Sequence, residues 1–312
     1  MKKTALITLL VLLTQPLFSQ EQPETKSGVS FSNGLTLQIS TLPEAKLGFT
    51  QHFTFPILRG KNPLTADNNI DLSLKGEISP VSLNGTAEAV LTPIAFFQFT
   101  AGGRIGSGWN IELFGGEIYG IGINRPSANG MGENDGSAFD GLLWKAHAGG
   151  AIQFDLAALF PGDWNHVVAR SYHEINHRGY SRAKNGESWF YESDDGENVN
   201  GFNYYGNYLI GYQMPIFLDT IAVLAESDLY LYDTPGRNTW GDERMRWTFS
   251  AVLNFAITKS LNITLITQMR TRRNYEQSNY EEIYYRYRKI DSSDPLRLEF
   301  YRVAATVSYR FK

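Results

Sequence analysis

From Val303 to Phe311 the chain alternates strictly, with Val303, Ala305, Val307, Tyr309 and Phe311 set against Arg302, Ala304, Thr306, Ser308 and Arg310. A period of two is the signature of a strand with one apolar and one wet face. The same alternation recurs upstream in segments of ten or so residues. Asn69 to Ser79 is the cleanest, with Ile70, Leu72, Leu74 and Ile78 opposite Asp71, Ser73, Lys75 and Glu77. Polar residues at every second position mean that water lies along that side.

Further strands are expected over Gly28 to Ser40, Ala45 to Phe55, Asn84 to Thr92, Phe97 to Ile105, Phe139 to Leu156 and Gly201 to Met214. Phe217 to Tyr232, Asp242 to Ile257, Leu261 to Arg272 and Pro295 to Phe311 follow the same rule. Trp164 to Arg178 is the weakest, because neither of its faces is cleanly apolar. In the closing strand the apolar phase slips between Phe300 and Tyr301, the mark of a bulge. Short turns at Thr92, Pro161, Pro215 and Thr258 to Ser260 fall on one rim if the closing strand descends. Long glycine-bearing or acidic stretches, Ser107 to Ala138 and Tyr180 to Asn200 among them, fall on the other, the first with a short hairpin expected around Ile118 to Ile123.

Lys2 and Lys3, the apolar run Ala5 to Leu13 and the following Pro16 to Ser19 have the order of a secretory signal peptide, so residues 1–19 are expected to be removed and 20–312 to form one domain. Beyond Ser19 no stretch of about 18 apolar residues occurs, which excludes a transmembrane helix of that length. A strand protein that sits in lipid must then close on itself, since only helices and sealed barrels satisfy every backbone group there. The expectation is an all-β, antiparallel, up-and-down transmembrane barrel of about twelve strands, within a range of 10–14, in the outer membrane. Trp109, Trp144, Trp164, Trp240, Tyr204, Tyr205 and Tyr212 would form its interfacial girdles. The chain has no cysteine, in keeping with export through an oxidising compartment.

The last strand, ending on Tyr309 and Phe311, resembles the terminal strand of bacterial outer-membrane β-barrels, the segment read by the barrel-assembly machinery. It departs from that pattern at Ala304, Thr306 and Lys312. Ser79-Pro80-Val81-Ser82-Leu83-Asn84-Gly85 and Gly211-Tyr212-Gln213-Met214-Pro215 are similar to stretches of uncharacterised spirochaete outer-membrane barrels. The resemblance implies fold and location, with outer-membrane lipid and the assembly machinery as partners.

With a net charge of -4 and no basic cluster interleaved with aromatics, a nucleic-acid partner is excluded. His173-Glu174-Ile175-Asn176-His177 matches the helical zinc-protease spacing, but in a strand the two imidazoles stand about 13 Å apart, too far for one ion. The same stretch compares poorly with the His-x-Ser motif of outer-membrane phospholipase A, because Ile175 occupies the nucleophile's place. Glu133 to Asp135 and Asp194 to Glu197 lack the spaced ligands of a calcium loop. No cofactor or metal is expected and no enzymatic activity, with a phospholipase-like enzyme around His173 as the third reading.

The remaining chemistry is the water-facing charge. Arg104, Glu226, Arg270 and Arg302 each lie about nine residues above the turn rim, so they are expected to form one belt, with Lys75, Glu77, Glu88, Asp228 and Arg272 nearby. Such a belt suits a monomeric passive pore for small polar solutes. If the same charges pair and fill the interior, the barrel is instead a non-conducting surface protein that works through its loops.

Overall fold

A computed structural model describes residues 28–42, 44–62, 64–113, 116–126, 132–135, 138–184, 186–192, 197–231, 244–276 and 290–311. Residues 1–19, read as a signal peptide, lie outside them, as do Trp240, Asp194 and Asp195.

Twelve strands close into one antiparallel barrel. They are β1 Ser30–Ser40, β2 Glu44–Pro56, β3 Asn69–Ser79, β4 Ser82–Ile94, β5 Phe97–Gly108, β6 Leu143–Asp155, β7 His166–Tyr180, β8 Gly201–Gln213, β9 Leu218–Tyr230, β10 Arg246–Ala256, β11 Leu261–Arg273 and β12 Leu296–Phe311. Each pairs with its sequence neighbours, and β1 meets β12 through Asn33↔Phe311 to Ser40↔Ala304. The closing strand thus removes the edges that an open sheet would expose. Its bulge falls where the phase slips: Gln268 faces Arg302 and Met269 faces Phe300, leaving Tyr301 as the extra residue.

The exterior follows from the alternation. Leu35, Leu37, Leu47, Leu74, Ile78, Phe99, Ile105, Ile152, Ile210 and Val223 stand exposed, all on one parity of their strands. An apolar belt of this kind is stable only against hydrocarbon, so the barrel spans a membrane. Connections 95–96, 156–165, 214–217 and 257–260 share the rim of both chain ends with the longer 57–68, whereas 109–142, 181–200, 231–245 and 274–295 leave the opposite rim. Two short turns, 41–43 and 80–81, also lie on this loop rim.

The strand expected to be weakest is one of the longest. In β7 the outward positions include Ser171, His173 and His177, while the inward ones include the buried Val168 and Tyr172. Polarity is mixed on both sides, which is why no clean face shows in the sequence. Tyr205, expected in a girdle, is instead 8% exposed and lies on the inner parity of β8, across from Glu174.

Candidate functional site

The interior is divided. On β7 to β11, Val168, Leu209, Ala222, Leu224, Val252 and Ile266 turn inward and form a buried apolar cluster, so this wall is dry. On β1 to β6 the inward positions are mostly polar: Thr36, Gln38, Thr50, His52, Thr86 and Gln98 are half-buried, whereas Ser73, Glu77, Asn84 and Thr100 are buried. His52 and Thr54 meet the Asp71 carboxylate at 3.1 and 2.8 Å near the turn rim.

Higher up, the charges predicted to line a pore lie on the inward parity and mostly find partners. Lys75 Nζ donates to Glu77 at 2.5 Å, and Glu88 meets His147 Nε2 at 3.2 Å. Arg302 donates to Gln268 at 2.7 Å and to Glu44 at 2.6 Å, tying β12 to β11 and β2. Arg270 and Arg272 share Glu299, at 2.8 and 3.7 Å. Asp228 holds Arg246 at 2.8 Å and Arg178 at 3.6 Å. Glu226 accepts from the buried Tyr205 hydroxyl. The single belt separates into groups: Arg270 and Arg302 both pack on the Tyr301 ring, at 4.4 and 5.0 Å, whereas Arg104 joins Asn84 and Tyr191 on the β4–β5 wall.

Tyr191 belongs to a feature the sequence reading missed. Three short strands, Ile121–Pro126, Gly132–Asp135 and Trp189–Tyr191, pair into a small sheet of loop segments. Ile121, Ile123, Trp189 and Tyr191 pack with Leu143 and Tyr180 of β6 and β7 in one buried cluster. The hairpin expected around Ile118 to Ile123 is displaced: Ile111–Leu113 pairs with Gly116–Ile118, and Ile121–Pro126 joins this sheet instead. The one sequence signal was the run Trp189-Phe190-Tyr191, three aromatics inside an otherwise polar loop.

This sheet reaches across to the far wall. Tyr191 donates to Asn84 at 2.6 Å; burial, then the Glu192 charge, push its phenol up to about 12, so it remains a donor. Glu192 accepts from Lys46 Nζ of β2 at 2.5 Å and from the Ser82 hydroxyl of β4. Its backbone is left-handed, with φ of 52°. On the opposite side Glu197 accepts from Arg273 and from Tyr275 at 2.6 Å, while its carbonyl takes the Tyr230 hydroxyl at 2.7 Å. Burial alone would raise the Glu197 carboxyl, but Arg273, Arg246, Arg272 and the Tyr275 hydroxyl outweigh it and hold the group below its ordinary value. The loop after β7 is therefore pinned to both walls of the mouth.

The zinc-like motif comes apart as its strand geometry dictates. Glu174 points inward, 2% exposed, and meets Lys145, Tyr172 and Asn176. His173 and His177 lie on the lipid side, His177 stacked on Trp144 with centroids 4.6 Å apart. His173 Nε2 lies 3.0 Å from Ser171 Oγ, and its Nδ1 lies 2.7 Å from the Tyr204 hydroxyl. A nucleophile, base and orienting group in line is the arrangement used in acyl transfer. Here it sits midway along β7 and β8, with His173 opposite Gly206. Among the described residues no three His, Asp or Glu side chains gather as a metal site.

No family model and no curated protein matches the chain. Solved structures with some likeness include "KdgM porin" (11% identity, TM-score 0.40, 90% of this chain and 99% of that one). "NanC porin" follows at 6% identity and TM-score 0.40, covering 91% and 100% of the two chains. The beta domain of the Bordetella autotransporter BrkA has 13% identity and TM-score 0.38, covering 90% and 98%. At such scores the likeness carries no inference about function.

Proposed function

We propose that this protein is a narrow outer-membrane pore for small polar solutes, closed at its outer mouth in the conformation seen here. The observation that carries the reading is the set of half-buried polar side chains on the inner face of β1 to β6, Thr36, Gln38, Thr50, His52, Thr86 and Gln98, with the Lys46–Glu192 contact above them. Packed interiors do not leave threonine and glutamine side chains half-accessible together; a water path does. Lys75, Glu77, Glu88 and Arg104 lie on this side and would set its ion preference, while Arg270, Arg272, Arg302, Glu226 and Asp228 brace the other wall.

A second reading has its own support. The dry cluster of β7 to β11 and the paired arginines of β11 and β12 suit a filled, non-conducting barrel that works through its loops. Single-channel recording of the refolded chain in a planar bilayer separates the two. Small discrete steps are expected, and their cation-to-anion preference should change in Lys75→Ala with Arg104→Ala. Silent bilayers at high protein load, for wild type and for variants lacking the Glu192 contact, would reject the pore.

A further inference from the structure

At the loop end of β9 to β11 three guanidinium groups converge on one ring. Arg178, Arg246 and Arg273 lie 5.2, 5.3 and 5.6 Å from the centre of Tyr230. Among the described residues two carboxylates answer them. Asp228 holds Arg246 at 2.8 Å and Arg178 at 3.6 Å, while Glu197 holds Arg273 and, at 3.9 Å, Arg246. Three positive charges against two negative leave a surplus of one, in a place where Arg273 is 3% exposed. The neighbouring Arg270 and Arg272 share Glu299, and counting them together with Glu299 and Glu226 leaves the surplus unchanged. A buried charge without a counter-charge is costly, so the cluster calls for an anion.

A cavity of about 60 Å³ lies beside this cluster, with Arg246, Arg273, Asp228, Glu197 and Glu226 in its lining. Two incompletely paired groups border it. Nη1 of Arg273 is held by Glu197, but its buried Nε and Nη2 have no acceptor among the described residues. Oε1 of Glu226 is taken by the Tyr205 hydroxyl, but its Oε2 has no donor, and the residue is 2% exposed. Nε and Nη2 form one edge of a guanidinium, the fork that takes two oxygens of a single oxoanion. One water needs about 10–15 Å³ of such space, so the cavity has room for an anion of about five non-hydrogen atoms.

We propose that this cavity binds one small oxoanion that also carries a hydroxyl, of the size of hydrogenphosphate or a two-carbon hydroxycarboxylate. Its anionic end accepts from Nε and Nη2 of Arg273 and cancels the surplus charge, and its hydroxyl donates to Oε2 of Glu226. Thr248 pairs in register with both Glu226 and Arg270, and Arg273 stands three residues further along β11, about 10 Å of strand. The anionic group and the hydroxyl therefore sit at opposite ends of the occupant. The site lies on the wall across from the polar side chains of β1 to β6, so it does not rest on the pore reading, and its test reads binding and not conductance.

Calorimetric titration of the refolded full-length protein in detergent at neutral pH tests this, with phosphate and glycolate as probes and sulfate and acetate as their counterparts without a suitable hydroxyl. One saturable site is expected for phosphate or glycolate, and the tighter of the two identifies the anionic group that fits. Sulfate and acetate should bind at least about tenfold more weakly, because they leave Oε2 of Glu226 unpaired. Glu226→Gln retains an acceptor for the Tyr205 hydroxyl and should abolish that preference. Arg273→Gln should weaken phosphate and glycolate at least about tenfold, and Asp228→Asn, which raises the surplus charge to two, should tighten both. The proposal is overturned by the absence of saturable phosphate and glycolate binding, by sulfate and acetate binding equally well, or by a folded Arg273→Gln that binds as wild type does. Where Arg273→Gln lacks the heat-modifiable mobility of a folded barrel, Asp228→Asn decides, and unchanged or weaker binding there overturns the proposal.

Discussion

If Glu192 latches the mouth, its replacement should open the pore by a definable amount. Its carboxylate and the Lys46 ammonium are 4% and 6% exposed. Breaking one member of such a buried pair costs about 3–5 kcal/mol, mainly because the other charge is left without a partner. In Glu192→Ala that penalty falls on the closed state alone, because Lys46 regains water once the loop withdraws. At 1.4 kcal/mol per tenfold, the open-to-closed ratio should rise on the order of 100-fold or more. The packing of Trp189, Tyr191, Ile121 and Ile123 sets the baseline and is untouched by the change. A second variant tests the geometry. Glu192 has φ of 52°, a conformation costing roughly 1–2 kcal/mol for any residue with a Cβ. Glu192→Gly loses the latch but relieves that strain in the closed loop, so it should open less than Glu192→Ala, by about tenfold. The assay is the open fraction of single channels at fixed voltage and salt. Equal open fractions in wild type, Glu192→Ala and Lys46→Ala would refute the latch; Gly opening as readily as Ala would refute the strain.

Arg302→Ala removes the guanidinium that Glu44 and Gln268 accept from inside the barrel wall and should lower stability by about 3–5 kcal/mol, read as urea dependence of the heat-modifiable gel shift. Glu44→Met with Arg302→Met should recover most of that loss, and a double variant as weak as Arg302→Ala would show that the pair is not the cause. Glu197, held below its ordinary value of 4.5, contributes to loop closure above that pH and loses the contribution as pH falls through its lowered value. Protease access to the 181–200 loop should therefore stay constant from neutral pH down to ordinary carboxylate pH and rise only below it, and Glu197→Gln should remove that acid step.

The barrel was legible because most of its exterior follows one rule, apolar at every second position. Ile70 to Ile78 and Val303 to Phe311 alternate without exception, and the slip at Tyr301 shows in the register as an extra residue. The interior obeys no such rule. In β7, Val168 and Tyr172 pack inward while Ser171 and His173 face lipid, so a reading that equates inward with polar finds no strand face at all. In Asn203-Tyr204-Tyr205 one tyrosine faces out and the next faces in, and residue type alone does not sort them. Of the expected charge belt, Glu226, Arg270 and Arg302 gather around Tyr301, while Arg104 lies apart with Asn84 and Tyr191. Strands in a closed barrel tilt, and each is staggered against the next, so equal counts from the rim hold for neighbouring strands and drift apart around the ring. Arg104 therefore meets a loop, whereas Arg270 and Arg302 meet each other across Tyr301. The loop sheet was hidden because its pairing joins residues near 123 and 190, a separation that no local pattern encodes.

The two halves of the ring differ in what their inner side chains meet. A barrel wall is one residue thick, so a strand whose inner side chains pack into a dry cluster cannot also border water at those positions. That is the condition of β7 to β11, with Leu209 and Leu224 inside. The opposite half has mostly apolar outer positions, Asn33 and Gln51 excepted, and its half-buried threonine, glutamine and histidine side chains face the interior. Tyr180 of β7 and Leu143 of β6, at the seam of the two halves, form the base on which the loop sheet packs, and from that base Glu192 reaches the wet wall at Lys46. Loosening the dry half, for example by Leu209→Ala, should then raise the open fraction at a distance from the latch. It should do so by less than Glu192→Ala, because the change acts on the support of the loop sheet and leaves the ion pair intact.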